Sequence, residues 1–418
     1  MTGRRRLDTG IESSAALLPD PPAYWSYSSL REAGACPRRY ALSRARYPDL
    51  WDGAGYPRVP RVPALLGDIV HDALDVIVSA LTASGCGTVR SAEAVAVMRA
   101  LGGYTAVIEA AAAKRLAGLA GNPRVGEDLR RRIGRAVQAQ VPEARYQVQA
   151  YIARTALGPA RKAAGAPGAA AGAPGPSAAS GRQPLGPGAH AEAMLRSAQP
   201  RLTGRIDLLR VSETGAAITD YKTGSESPSH RDQLELYALL WDLDQESNPG
   251  GLPATSLTAA YPDRDLTFSA PDDAGLRAIE DKVTVAVKAA DAEISSDAPR
   301  AVPSPDNCGS CDVRQLCADY WAVAAPGLAN LADGTRFDCQ GLVSTVNGPR
   351  SWWLRLDGDG QPELLVRSSP AGPGLQPGRR VRIMGLRADI DPEAEQGTIA
   401  ASAGVTSEVF TMTAPPAG

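Results

Sequence analysis

Apolar positions along the chain fall into two regimes, helical spacing first and strand-like alternation later, with a compositional break between them. "SYSSLREAGACPRRYALSRARY" (26–47) has apolar residues at helical intervals behind a run of serines, so Ser28 or Ser29 is the expected cap of one helix. Residues 1–20 before it carry no periodic pattern and read as a loose tail. "ALLGDIVHDALDVIVSALTAS" (64–84) is apolar on most sides, which predicts a buried helix, and Ala-rich helical sequence continues to about residue 140. The break follows. Residues 158–188, "GPARKAAGAPGAAAGAPGPSAASGRQPLGPG", are low-complexity Ala/Gly/Pro and predict a flexible insertion. After it, "RLTGRIDLLRVSETGAAITDYKTG" (201–224) predicts two apolar strands joined by a turn at "SETG". "HRDQLELYALLWDLD" (230–244) predicts an amphipathic helix, "TSLTAAYPD" a further strand, and 272–295 another helix. These elements make residues 21–325 one α/β domain. From 331 to 418 the chain becomes short strands between Gly, Pro and Asp turns: "FDCQGLVSTV", "SWWLRLDG", "ELLVRSS", "GRRVRIMGLRADI" and "GVTSEVFTM". About five strands and Gly-rich turns predict a second, all-β domain resembling an OB-fold barrel.

Charge and cysteine usage narrow the function classes. The 418 residues carry a net charge of −2, so any nucleic-acid surface must be a local basic patch rather than the whole chain. No apolar run reaches the roughly 18 residues a membrane span needs, and the basic start lacks the apolar core of a secretory signal. A cytoplasmic protein is expected, where thiols stay reduced. The six cysteines then read as ligands or core residues, not disulfides.

The chemistry collects in the strand pair. Asp207 and Asp220 both lie in apolar strand sequence, where an unpaired carboxylate is costly. Lys222 follows Asp220 by two, so on an extended strand both side chains share a face. A bland reading is an ion pair at a strand edge. The sharper one is a metal-dependent phosphodiester site: Mg²⁺ or Mn²⁺ suits the carboxylates, with the Tyr221 carbonyl as a further oxygen. Lys222 would polarise the phosphate or help form the attacking hydroxide.

This order, a carboxylate on one strand and D-x-K on the next, resembles the PD-(D/E)xK nuclease core. His71, four residues after Gly67 in "GDIVHDAL", resembles the G-x-x-x-H of RecB-like nucleases, whose histidine joins the metal site. Gln233 and Tyr237 share a helix face and resemble the Q-x-x-x-Y of that family, which contacts DNA and braces the site. Glu192, ahead of the strands, is a candidate auxiliary acid. "CGSCDVRQLC" supplies Cys308, Cys311 and Cys317, and Cys36 precedes the core. Three thiolates leave one tetrahedral position, which a cysteine from a distant segment could fill. This arrangement resembles the iron–sulfur staple of AddB-type and CRISPR-associated RecB-like nucleases. A structural zinc has the same ligands; the resemblance favours [4Fe–4S]. Cys86 and Cys339 are left as ordinary buried thiols.

The resemblance, over about residues 24–320, implies a restriction-endonuclease-like core of mixed sheet flanked by helices. It implies Mg²⁺- or Mn²⁺-dependent hydrolysis of DNA, exonucleolytic at single-stranded ends, in repair or anti-phage defence. On the second domain, Trp352, Trp353, Arg355, Arg367, Arg379 and Arg382 are candidates for stacking and phosphate contacts with a single strand. The alternative there is a barrel that docks a protein. No G-x-x-x-x-G-K-[ST] loop occurs, so unwinding would come from a helicase partner. Two other readings are a non-catalytic DNA-binding scaffold and a zinc-stapled adaptor. The intact D…D-x-K disfavours the scaffold, and metal content with a nuclease assay separates all three.

Overall fold

The computed structural model describes residues 5–12, 14–157, 182–324, 331–357, 363–370, 372–389 and 399–413. A short hairpin of β1 (Arg6–Leu7) and β2 (Ala16–Leu17) precedes helices α1 (Tyr27–Ala35), α2 (Pro37–Arg44), α3 (Val62–Ala83), α4 (Ala92–Ala100), α5 (Gly103–Ala117), α6 (Glu127–Ala139) and α7 (Val141–Arg154). Strands β3 (Gly188–Ser197), β4 (Leu202–Val211) and β5 (Ala216–Tyr221) follow. Then come α8 (Pro228–Leu243), β6 (Ala254–Ala260), β7 (Asp265–Ser269), α9 (Asp273–Ile294) and α10 (Pro305–Gly309). These strands form one mixed sheet in the order β3-β4-β5-β6-β7, with only β5 and β6 parallel, joined by the α8 crossover. One core packs α1, α2, α8 and α9 on a face of this sheet, with Trp25, Leu202, Ile218 and Trp241 fully buried. The other packs α3, α5, α6 and α7 against Leu208, Tyr221 and Ala260. The result is three layers, the expected α/β class. Among the described residues no single helix is long and apolar enough to cross a membrane.

The first helix differs from expectation at both ends. Its cap is Ser26, two or three residues earlier than predicted: the Ser26 hydroxyl accepts from Ser29 N at 3.2 Å and Ser29 Oγ accepts from Ser26 N at 2.8 Å. The helix then breaks at Cys36, which is extended (φ −159, ψ 97), because Pro37 excludes the helical region for its predecessor and opens α2 at its first turn. That break places Cys36 at the junction of the two helices, as C-cap of the first and N-cap of the second.

Residues 5–20 are not a loose tail. Arg5 Nη1 donates to the carbonyls of Ile294 and Ser296, both at 2.6 Å. Leu17 pairs with Arg46, Ile11 pairs with Met412, and Ile11, Ala16 and Leu18 are buried. The segment lacks periodicity because its anchors, Arg5, Ile11 and Leu17, are fixed by separate distant partners. The insertion also ends earlier than expected: residues 158–181 lie outside the described residues, whereas Arg182 Nη1 donates to the buried Asp244 at 2.6 Å.

Beyond residue 331, β8 (Arg336–Gly348), β9 (Ser351–Leu356), β10 (Glu363–Ser368), β11 (Arg380–Asp389), β12 (Ile399–Ala403) and β13 (Glu408–Thr411) make six strands among the described residues, where about five were expected. Five close into a barrel in the order β8-β9-β10-β12-β11-β8, with β10 and β12 parallel, and β13 adds to β11. This closed barrel is compatible with an OB-like domain. Strands β3, β7 and β12 escaped the sequence pattern. The first two are sheet edges with one weakly apolar face, and "IAASA" has no large side chain.

Candidate active site

The strand alternation fails at one rung, and the site grows from that failure. Between β3 and β4, Ala191 pairs with Leu208 and Ala193 with Ile206, but Glu192 and Asp207 between them do not pair. Glu192 sits at φ 52, a region non-glycine residues seldom occupy, consistent with strain held by a functional site. The phase of β4 shifts there, so Ile206 and Leu209 enter the α8-side core and Leu208 the α3-side core. Asp207 is thereby re-aimed, and its Oδ2 accepts from Tyr221 N at 2.6 Å where β4 and β5 separate.

A cleft of about 500 Å³ opens at this point. It brings together His71 from α3, Glu192, Asp207, Asp220, Tyr221 and Lys222 from the sheet, and Gln233 and Tyr237 from α8. His71 Nδ1 lies 3.6 Å from Asp207 Oδ1. Lys222 Nζ contacts Asp220 Oδ2 and donates to Gln233 Oε1 at 2.7 Å. Gln233 Nε2 donates to Asp220 Oδ1 at 3.3 Å and to the Tyr237 hydroxyl at 2.8 Å. Gln233 and Tyr237 thus brace the D-x-K pair. Tyr237 is buried and the Gln233 amide is engaged with Asp220, Lys222 and Tyr237, while both side chains still line the cleft.

Two glycines permit this assembly. A Cβ on Gly67 would lie 2.7 Å from Thr223 Oγ1, and one on Gly204 would lie 2.8 Å from Tyr237 Cε1. The glycine of G-x-x-x-H therefore lets α3 approach the segment carrying Lys222. Gly67→Ala should destabilise the fold by about 1–3 kcal/mol through overpacking, read as a shifted urea midpoint. An unchanged midpoint would mean that Thr223 simply turns aside.

Electrostatics bear the mark of crowded carboxylates. Burial, then the neighbouring Asp207, pushes the Glu192 carboxyl up to about 7. The same two causes raise Asp220, against the opposing pull of Lys222. For His71, burial disfavours the charge, but contact with Asp207 and the fields of Asp207, Asp220 and Glu192 outweigh it and raise the imidazole. Asp220 Oδ2 and Glu192 Oε2 are buried without a hydrogen-bond donor of acceptable geometry, although Lys222 and Arg205 lie beside them. Such oxygens fit a divalent cation. Among the described residues no three His, Cys, Asp or Glu side chains already form a cation cage.

Sequence reasoning missed part of the wall. Asp68, Asp72 and Asp75 line the cleft beside His71, and Arg115 from α5 binds Asp72 through two 2.7 Å hydrogen bonds. The acidic spacing along α3 was visible in "GDIVHDALD"; the Arg115 partnership, across 43 residues, was not.

Cys36, Cys308, Cys311 and Cys317 all line one small pocket of about 20 Å³. Burial pushes the Cys311 thiol up to about 12, a penalty that a bound cation removes. Thiols are donors for soft metals, although among the described residues these four do not already stand as a metal-holding group. Cys86 and Cys339 are buried elsewhere.

On the barrel, two expectations fail. Trp352 is a core residue, because 352, 354 and 356 are the inward positions of β9, so it cannot stack on a base. Arg382 is 6% exposed and donates to the carbonyls of Thr9 and Gln315, so it cannot meet phosphate. Arg379 is tied to Glu12 at 2.7 Å. Trp353, Arg355 and Arg367 occupy the outward face of β9 and β10, Arg355 and Arg367 exposed and Trp353 half-buried; Arg367 pairs with Asp389 at 3.2 Å.

No curated protein matches the sequence. Among solved structures, "Crystal structure of SSO0001" aligns at 17% identity and a TM-score of 0.20, over 31% of this chain and 60% of that one. This chain thus spans about 60% of that structure's length. "Structure of murine DNA binding protein bound with ds DNA" aligns at 11% identity and 0.19, over 55% of this chain and 98% of that one. At such TM-scores these likenesses carry no argument. The family comparison does: residues 24–318, well over half of the chain, match the model of the PD-(D/E)XK nuclease superfamily. That span contains the cleft, its braces and all four clustered cysteines, and the chain belongs to the PD-(D/E)XK nuclease superfamily.

Proposed function

We propose that this protein is a divalent-metal-dependent deoxyribonuclease acting on single-stranded DNA or DNA ends. The observation that carries the reading is the cleft itself, where Asp207, Asp220 and Lys222 meet His71 and Glu192, and where three carboxylates crowd together with Lys222 and Arg205 alongside. His71, Asp207, Asp220 and the Tyr221 carbonyl would hold Mg²⁺ or Mn²⁺, with Glu192 alongside. When bound, such an ion supplies Lewis acidity at the phosphoryl oxygens and lowers the pKa of water. Lys222, fixed by Asp220 and Gln233, holds a positive charge where negative charge builds on the phosphate. Calorimetric titration with Mn²⁺ tests this: wild type should bind and Asp207→Asn should bind weakly or not at all. Equal heats from both would place the cation elsewhere.

The four cysteines would hold a [4Fe–4S] cluster, tying α1–α2 to the end of the domain. A zinc ion has the same ligands and needs less room; iron and acid-labile sulfide in protein purified without oxygen separate the two. The barrel would guide a single strand. Its β8, β11 and β13 side is spent on the nuclease domain, through Asp338, Arg382 and Glu408. The β9–β10 face, which in OB-like barrels takes oligonucleotides, keeps Trp353, Arg355 and Arg367 outward. Trp353→Ala should weaken oligonucleotide binding by about 1–3 kcal/mol through lost stacking. Trp352→Ala should instead cost about 3–5 kcal/mol of stability. Unchanged binding in Trp353→Ala would remove this face from the strand path. Unwinding would then fall to a helicase partner, in DNA repair or anti-phage defence.

A further inference from the structure

Arg382 raises a problem of charge. The side chain is 6% exposed and all of its hydrogen-bonding partners are neutral: Thr9 O at 3.0 Å, Gln315 O at 2.6 Å and Gln340 Oε1 at 3.2 Å. Its guanidinium lies 5.2 Å from the Trp321 ring centroid. Two other arginines at the same junction each have a carboxylate: Arg124 grips Glu408 through two 2.7 Å bonds, and Arg314 meets Asp338 at 2.7 Å. Among the described residues no ion pair forms at Arg382. A buried guanidinium without an anion is expensive, and removing charge from the interior is normally favourable.

The missing anion has an address. Gln315, which takes the shortest bond, lies between Cys311 and Cys317. Of the groups whose field favours charge on Arg382, the Cys317 sulfur acts most strongly, ahead of Asp357 and Asp8. Three other arginines border the cysteines: Arg314 is held by Asp338, Arg38 lies 3.6 Å from Asp319, and Arg39, 3.9 Å from Glu32, keeps a buried Nε without a hydrogen-bond partner, so Arg38 and Arg39 share the field at the thiols with Arg382. Four thiolates carry −4, so a centre built on a dication, whether [4Fe–4S]²⁺ or Zn²⁺, keeps a net −2.

We infer that Arg382, supplied by the barrel, is the buried counter-cation of the four-cysteine metal centre, so that loading the centre and seating the barrel favour each other. This rests on the proposal that the cysteines hold a metal. Linkage makes the effect reciprocal: whatever the loaded centre contributes to seating the barrel, the seated barrel contributes to retaining the metal.

The test measures metal release to a chelator, and thermal unfolding, in full-length protein purified without oxygen. Arg382→Met should release metal at least about tenfold faster, the order seen when a partner of metal ligands is removed. Arg382→Lys, which keeps the charge, should stay near wild type. The unfolding midpoint should fall in loaded Arg382→Met. In the metal-free Cys36→Ser/Cys311→Ser background the same substitution should leave it unchanged or higher, because there the cation has no anion. An equal drop in both backgrounds would overturn the inference, assigning Arg382 to packing alone, as would unaltered release from Arg382→Met. If Arg382→Met does not fold, release from Arg382→Lys as fast as from Arg382→Gln overturns it equally. Wild-type protein holding neither iron nor zinc would instead defeat the metal-centre reading itself.

Discussion

Asp220→Asn and Lys222→Ala should each lower strand cutting by about 10²–10³-fold, the usual result of removing a preorganised charge from a reaction site. The geometry makes the two losses related but distinguishable. Asp220 is buried and in contact with the Lys222 ammonium, while Gln233 bonds both. Asp220→Asn keeps the shape and removes a carboxylate that would hold the cation. Lys222→Ala keeps the carboxylates and removes the fixed positive charge. Mn²⁺ binding should therefore fall in the first variant and survive in the second, although both are nearly inactive. Circular dichroism should report a native fold in each. Cutting within threefold of wild type by either variant would contradict the site assignment.

The second large effect is on stability. Asp338 is buried where the barrel meets the cysteine segment. Its Oδ2 accepts from Arg314 Nε at 2.7 Å and the Tyr320 hydroxyl at 2.8 Å, and its Oδ1 accepts from Gly385 N at 2.8 Å. Asp338→Ala strands a half-buried guanidinium, a hydroxyl and a backbone N–H together. Breaking a buried pair by deleting one partner costs about 3–5 kcal/mol, so the variant should show a markedly lower urea midpoint. Hydrogen exchange should rise first in β8, β11 and the segment 311–320, since the junction is lost before the sheet. A change below about 1 kcal/mol would mean that water replaces the carboxylate at little cost.

The parts of this molecule that were legible in the sequence are those whose chemistry demands a residue type at a fixed local spacing. Asp220 and Lys222 share a strand face, and His71 lies one helical turn from Gly67. The cysteine triplet lies within ten residues. The strands carrying the acids were legible because both faces are buried, which leaves nearly continuous apolar runs. What was hidden depends on distant partners. The N-terminal segment is ordered by carbonyls at 294 and 296 and by Met412. Arg382 looks like any surface arginine on an alternating strand until the cysteine segment covers it. The broken rung at Glu192 and Asp207 leaves no signature either, since a phase shift in one strand shows only against its neighbour.

The most direct test of the central claim uses wild-type protein and an end-labelled single strand of DNA, first in excess chelator and then with Mg²⁺ or Mn²⁺ restored. The account predicts no cleavage in chelator and cleavage on restoring either cation. Cutting that persists in chelator, or a strand left intact at every Mg²⁺ and Mn²⁺ concentration, would contradict it.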